Sequence, residues 1–128
     1  MNVVDSSAWI EYFAGGARTE ALAPVIEDVQ RLVVPTVCLL EVFKFTLRER
    51  GEQEALQVIA SMKQARIVPL DECLALEAAR LGVQHRLPLA DSVILATARA
   101  HDAVVWTLDS HFAGVEGVRY LGSQPSPA

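Results

Sequence analysis

Met1-Asn2-Val3-Val4-Asp5-Ser6-Ser7-Ala8-Trp9-Ile10 opens the chain, and its reading decides the fold. A short apolar run is cut off by Asp5-Ser6-Ser7, the residue types that begin helices, so a strand over 1–4 hands over directly to a helix ending at Gly15-Gly16. The same alternation recurs along the chain. Thr19 to Gln30 carries Leu22, Val25, Ile26 and Val29 at helical spacing, with Pro24 as a candidate interruption. Arg31 to Val34 reads as a strand stopped by Pro35. Thr36 to Arg50 reads as a helix with Thr36 as its N-cap and Gly51 past its end. Helices over 52–65, 71–85 and 90–101 follow, separated by short strands over 66–68 and 103–106, with a last strand over 118–121. Strands that alternate with helices, with a hairpin conceivable only for the last pair, predict an α/β fold. The expected architecture is a central, mainly parallel sheet of four to five strands between helical layers. In such sheets ligands sit beyond the carboxyl ends of the strands, so the residues just after each strand carry the functional reading.

The 128 residues suit a single domain, expected over 1–122 with a flexible tail over 123–128. A hydrophobic fraction of 52% against 21% charged residues excludes intrinsic disorder. No apolar run approaches the ~18 residues needed to cross a bilayer, and no basic stretch precedes the first strand, so no membrane association and a cytoplasmic location are expected. Cys38 and Cys73 stand far apart in apolar stretches, which suits buried thiols better than a disulfide or zinc site. The net charge of −5 argues against a protein that clamps phosphates by basic surface alone. A nucleic-acid substrate would then need a divalent cation to supply positive charge.

Four carboxylates stand where apolar or turn residues would be expected. Asp5 and Asp109 each fall just past a strand, and Glu41 interrupts Val37-Cys38-Leu39-Leu40 and Val42-Phe43. Asp91 opens Ser92-Val93-Ile94-Leu95-Ala96, a helix apolar nearly all the way round and therefore expected to be buried. Each has a structural alternative: helix capping or a turn for Asp5 and Asp109, complementing the helix dipole for Asp91. A buried ionised carboxylate is costly unless paired, hydrogen-bonded or metal-bound. If the four converge, charges ~5 Å apart repel by roughly 3 kcal/mol at an effective dielectric of ~20. A cation must then join them, or some must hold protons. Oxygen ligands without a cysteine or histidine cluster point to Mg²⁺ or Mn²⁺ and to hydrolysis of a phosphodiester. His85, His101 and His111 are scattered and read as solvent or structural residues.

Val3-Val4-Asp5-Ser6-Ser7-Ala8-Trp9-Ile10, then Glu41, Leu89-Ala90-Asp91-Ser92-Val93-Ile94-Leu95-Ala96 and Thr107-Leu108-Asp109-Ser110-His111-Phe112 resemble the PIN domain, and most closely the toxin ribonucleases of VapBC-type toxin–antitoxin pairs. The resemblance spans almost the whole chain. It implies an α/β/α sandwich, an RNA substrate, and Mg²⁺ or Mn²⁺ held by Asp5 and Asp91 with Glu41 and Asp109 completing the acidic group. It also implies a homodimer and a VapB-like antitoxin that covers the catalytic groove. Ser6 and Thr107 are expected to hydrogen-bond the acids or a metal-bound water, while Lys44, Arg48, Arg86 and Arg99 are candidates for steering RNA phosphates. Trp9, Tyr12 and Phe13 are expected to be mostly core, with part forming an antitoxin groove. Phe43, Phe45 and Leu47 are expected to present an apolar face to another subunit. Two other classes compete. A small-molecule phosphohydrolase would want an Asp-x-Asp pair, where this chain has Asp5-x-Ser7. A non-catalytic PIN-like binding module would be free to lose its acids, and all four stand here.

Overall fold

The computed structural model describes residues 1–122; the tail expected over 123–128 lies outside the described residues. Five strands, β1 (Asn2–Val4), β2 (Leu32–Pro35), β3 (Arg66–Val68), β4 (Val104–Thr107) and β5 (Val118–Tyr120), form one sheet in the order β3-β2-β1-β4-β5. Every neighbouring pair is parallel, β4 and β5 included. The hairpin allowed for the last pair is therefore absent. Residues 108–117 instead carry the chain back past the sheet through a 3₁₀ turn at Ser110–Phe112, anchored by the fully buried Phe112, with Gly114 and Gly117 at positive φ.

Among the described residues six helices flank the sheet as an α/β/α sandwich: α1 (Ser6–Ala14), α2 (Thr19–Glu27), α3 (Thr36–Arg50), α4 (Glu52–Met62), α5 (Glu72–His85) and α6 (Leu89–Ala100). Both Val3 and Val4, which point to opposite faces of β1, are completely buried, as are Val33 and Val34 of β2. A sheet covered on both faces has no use for alternation, which is why its central strands read as unbroken apolar runs. Helix α6 packs across β1, β2 and β4, and it buries every residue from Asp91 to Ala98.

Local chemistry sets most of the boundaries. Gly15, at φ 68°, ends α1 in the left-handed conformation. Asp71 caps α5 by accepting the Leu74 N–H at 2.8 Å. Pro24 does not interrupt α2; the carbonyl it leaves without a donor belongs to the exposed Glu20, where water can take its place. Thr36 is the first residue of α3 rather than its cap, and its hydroxyl accepts the Leu70 N–H at 3.3 Å, tying the β3–α5 connection to the start of α3. Cys38 is buried, as expected, but Cys73 is exposed in the first turn of α5, which faces solvent.

The apolar face expected from Phe43, Phe45 and Leu47 splits in two. Residues two apart on a helix point about 200° away from each other. Leu40, Phe43 and Leu47 follow one side of α3, with Leu40 and Leu47 exposed, whereas Phe45 faces α1 and borders the cleft described below. A second exposed apolar group, Val83 and Leu89, lies on α5 and α6. Among the described residues no helix is long and apolar enough to cross a membrane.

Candidate active site

The chain leaves β1 to one side of the sheet and later returns to β4 on the other, so β1 and β4 form the topological switch point. Asp5 directly follows β1, and Asp109 follows β4 by two residues. Their carboxylates reach the space above the carboxyl ends of the strands because parallel strands deliver all such ends to one edge.

Asp5 occupies the N-cap position of α1, yet its side chain caps nothing. Its Oδ2 instead accepts hydrogen bonds from Ser7 Oγ and Thr107 Oγ1, both at 2.7 Å, so Oδ1 stays outside both bonds. The two hydroxyls are themselves fixed. Ser7 Oγ accepts the Leu108 N–H at 3.1 Å, and Thr107 Oγ1 accepts the Asp109 N–H at 2.9 Å. Ser7 was not among the residues anticipated from the sequence as supports. Ser6, which was, turns away from Asp5 and donates to Glu41 Oε1 at 2.6 Å, linking the first turn of α1 to α3.

Asp91 lies in the first turn of α6 with only 7% of its surface exposed, and its Oδ2 is buried without a hydrogen-bond partner among the described residues. Burial pushes its pKa up to about 7, helped by the negative charges of Asp109 and Asp5. Asp5 is also raised, first by burial, against the opposing pull of the Ser7 and Thr107 hydroxyls. Cys38, fully buried beneath the site, is pushed up by burial and stays a thiol. Asp109 does serve as a cap, since its Oδ1 accepts the backbone N–H of His111 at 2.9 Å. The same oxygen lies 2.7 Å from His111 Nδ1.

Asp5, Glu41, Asp91 and Asp109 thus border one open cleft of about 420 Å³, with Ile10, Leu40, Lys44, Phe45 and Arg48 along its walls. The candidate phosphate contacts divide accordingly. Lys44 and Arg48 follow Glu41 on α3 and edge the cleft, but Arg86 ends α5 in the left-handed conformation and does not border it. Arg99 sits eight residues beyond Asp91, about 12 Å along the helix. Its guanidinium donates to the Glu116 carbonyl at 3.2 Å beside a separate cavity that includes Arg66 and His101.

The donor set suits a hard divalent cation. One carboxylate oxygen each from Asp91 and Asp109 lies with a His111 ring nitrogen within 4.8 Å of one another, and the partnerless Asp91 Oδ2 is the kind of buried oxygen that a cation would satisfy. His111 was read from the sequence as a solvent or structural residue; the structure brings it against Asp109 and within 3.7 Å of Asp91 Oδ2. The signal available was the Asp109-x-His111 spacing just after a strand, where a one-turn 3₁₀ segment folds the ring back onto the acid.

The PIN domain family model matches residues 3–118, and the chain belongs to that family. Among solved structures, a toxin–antitoxin complex from Klebsiella pneumoniae is similar with a TM-score of 0.76 at 23% identity, covering 93% of this chain and 96% of that one. A Mycobacterium tuberculosis VapC described as a toxin that cleaves the sarcin-ricin loop gives 0.73 at 19% identity, over 88% and 92%. DNA-bound VapBC from Salmonella typhimurium gives 0.73 at 15% identity, over 94% and 97%. At these identities the likeness establishes the fold. No curated protein sequence matches the chain.

Proposed function

We propose that this protein is a metal-dependent endoribonuclease, the toxin of a VapBC-type toxin–antitoxin pair, hydrolysing RNA phosphodiester bonds by attack of water. The observation that carries the reading is the buried, partnerless Oδ2 of Asp91 beside three further carboxylates in one open cleft. Membership of the PIN family and the toxin–antitoxin relatives in fold support it.

In this reading Asp5 and Asp91 hold Mg²⁺ or Mn²⁺ with Asp109 completing the set. The bound ion supplies positive charge to the phosphate and lowers the pKa of water in the cleft. Glu41, kept in place by Ser6, orients the attacking water and takes its proton. Water attacks phosphorus in line, the bond from phosphorus to the 3′ oxygen breaks, and that oxygen takes a proton. The products are a 5′-phosphate and a 3′-hydroxyl. Lys44 and Arg48 draw the RNA backbone across the cleft and compensate locally for the protein's negative charge.

The cleft between α1, α3 and α4, bordered by Ile10, Phe13, Ala14, Phe45 and Val58, receives an apolar segment of the antitoxin next to the site. Val83 and Leu89, each 85% exposed, are covered in a homodimer. The decisive experiment is RNA cleavage with Mg²⁺ or Mn²⁺, with EDTA, and with Asp91→Asn. Cleavage that requires the ion and Asp91 is the expected result. RNA binding without cleavage under every condition would make the protein a non-catalytic binding module. The phosphohydrolase alternative has no support at Asp5-x-Ser7, where Ser7 supplies a hydroxyl to Asp5 rather than a second acid.

A further inference from the structure

Nothing in the packing of His111 calls for a histidine. Its side chain is 57% exposed, so it fills no core space. Two donors of this one residue nevertheless converge on one atom: the backbone N–H at 2.9 Å and ring Nδ1 at 2.7 Å both meet Asp109 Oδ1. Against an ionised carboxylate Nδ1 must carry the hydrogen, which fixes the ring tautomer and leaves Nε2 toward the outside. Two ligands of one Mg²⁺ stand about 3 Å apart or more at bond lengths near 2.1 Å and right angles. The separation of 2.7 Å is therefore that of a hydrogen bond rather than of two neighbours on a single ion.

With Oδ1 held twice, turning the Asp109 carboxylate away breaks both bonds, and its Oδ2 remains as the oxygen to offer. The ring also stands 3.7 Å from the partnerless Asp91 Oδ2, so it lies along the shared edge of the two acids. We infer that His111 is a positioning residue: it locks the Asp109 carboxylate in the orientation that shares a cation with Asp91, without itself binding the ion. This rests on the metal-dependent reading above and adds a residue to it.

The test is Mn²⁺ binding, followed by the EPR signal of free Mn²⁺, for the full chain and for His111→Phe and His111→Asn. Phenylalanine keeps the ring without the donor, whereas the asparagine amide can place an N–H where Nδ1–H stood. Loss of a polar group that orients a metal-binding side chain typically weakens affinity by about 10–100-fold. The expected result is a loss of that size in His111→Phe, most of it recovered in His111→Asn, with melting in EDTA unchanged in both. Pulsed EPR of Mn²⁺ on the unaltered protein should show no nitrogen coupling that His111→Phe removes. Equal affinity in His111→Phe and the unaltered protein overturns the inference, and so does no recovery in His111→Asn. A ring-nitrogen coupling overturns it differently, by making His111 a ligand. If the unaltered protein binds no Mn²⁺, the metal-dependent reading falls and takes this inference with it; equal binding by all three removes the role of His111 alone.

Discussion

Thr107 Oγ1 donates to Asp5 Oδ2 at 2.7 Å across a gap of 102 residues in the chain. The two side chains meet because β1 and β4 are parallel neighbours in register, Val4 opposite Trp106, so the residue after one strand faces the last residue of the other. Thr107 is completely buried and uses its hydroxyl twice, donating to Asp5 and accepting from the Asp109 N–H. One hydroxyl thereby sets the position of two of the four acids.

Thr107→Val removes that hydroxyl at nearly constant volume and leaves the Asp109 N–H without its acceptor. A loss of about 1–3 kcal/mol in stability is expected, measured by denaturant unfolding in EDTA. Ser7→Ala acts likewise through Asp5 and the Leu108 N–H. Each substitution should also lower RNA cleavage, because Asp5 loses one of the two bonds that orient it. Full activity in both variants would separate these hydroxyls from the site.

Asp91→Asn and Asp5→Asn should each reduce cleavage by about 10²–10³-fold, as expected when the cation that stabilises transition-state charge loses a carboxylate that would hold it. Neither should unfold the metal-free protein, because each removes a buried negative charge from a repelling group. Initial rates on a labelled RNA, together with thermal melts, check both halves of this expectation.

The pH dependence follows from the raised pKa of Asp91. An Asp in the unfolded chain titrates near about 3.9, whereas burial, Asp109 and Asp5 hold Asp91 up to about 7 in the fold. Between these values the folded protein keeps a proton that the unfolded chain has released. The Asp91 contribution therefore lowers stability as pH rises through that window and levels off above it. Asp5 acts in the same direction. In EDTA, the melting temperature of Asp91→Asn relative to the unaltered protein should climb between about pH 4 and about pH 7 and level off above that. Added Mn²⁺ should stabilise the unaltered protein more at the upper end of that range, where Asp91 is free to ionise. A difference that stays flat with pH would mean that Asp91 is ionised throughout.

Lys44→Ala and Arg48→Ala should weaken RNA binding, each lowering the salt dependence by about 0.7 in the log–log slope for a lost single-strand phosphate contact. Asp91→Asn serves as the uncleaving background for the titration. Arg99→Ala should change neither quantity, because Arg99 faces a different cavity at the far end of α6. An equal effect at Arg99 would move the RNA path off the cleft.

The sites of tension were readable from residue types. Asp5 after Val3-Val4, and Asp91 before the all-apolar turn of α6, stood out because a buried charge conflicts with its surroundings, and that conflict is visible in one dimension. The span of α3, 36–50, was legible as well, since Pro35 and Gly51 bound it on either side. Less legible was anything that depends on direction around an axis. Phe43 and Phe45 part company on α3 because helical rotation turns near neighbours in sequence to opposite sides, and Arg99 ends up about 12 Å along α6 from Asp91 because of helical rise.

By itself, then, the sequence determined a mainly parallel α/β sheet and singled out four acids, two just past strands and two within apolar helices, because apolar periodicity and misplaced charge are local properties. The tertiary structure alone decided which hydroxyl holds which acid: Ser6 goes to Glu41, while Ser7 and Thr107 go to Asp5. It also turned β5 parallel and folded His111 onto Asp109. The reason is physical. Hydrogen bonds are directional and reach about 3 Å, so their partners are chosen by sheet register and helix rotation, which the whole packed chain fixes together.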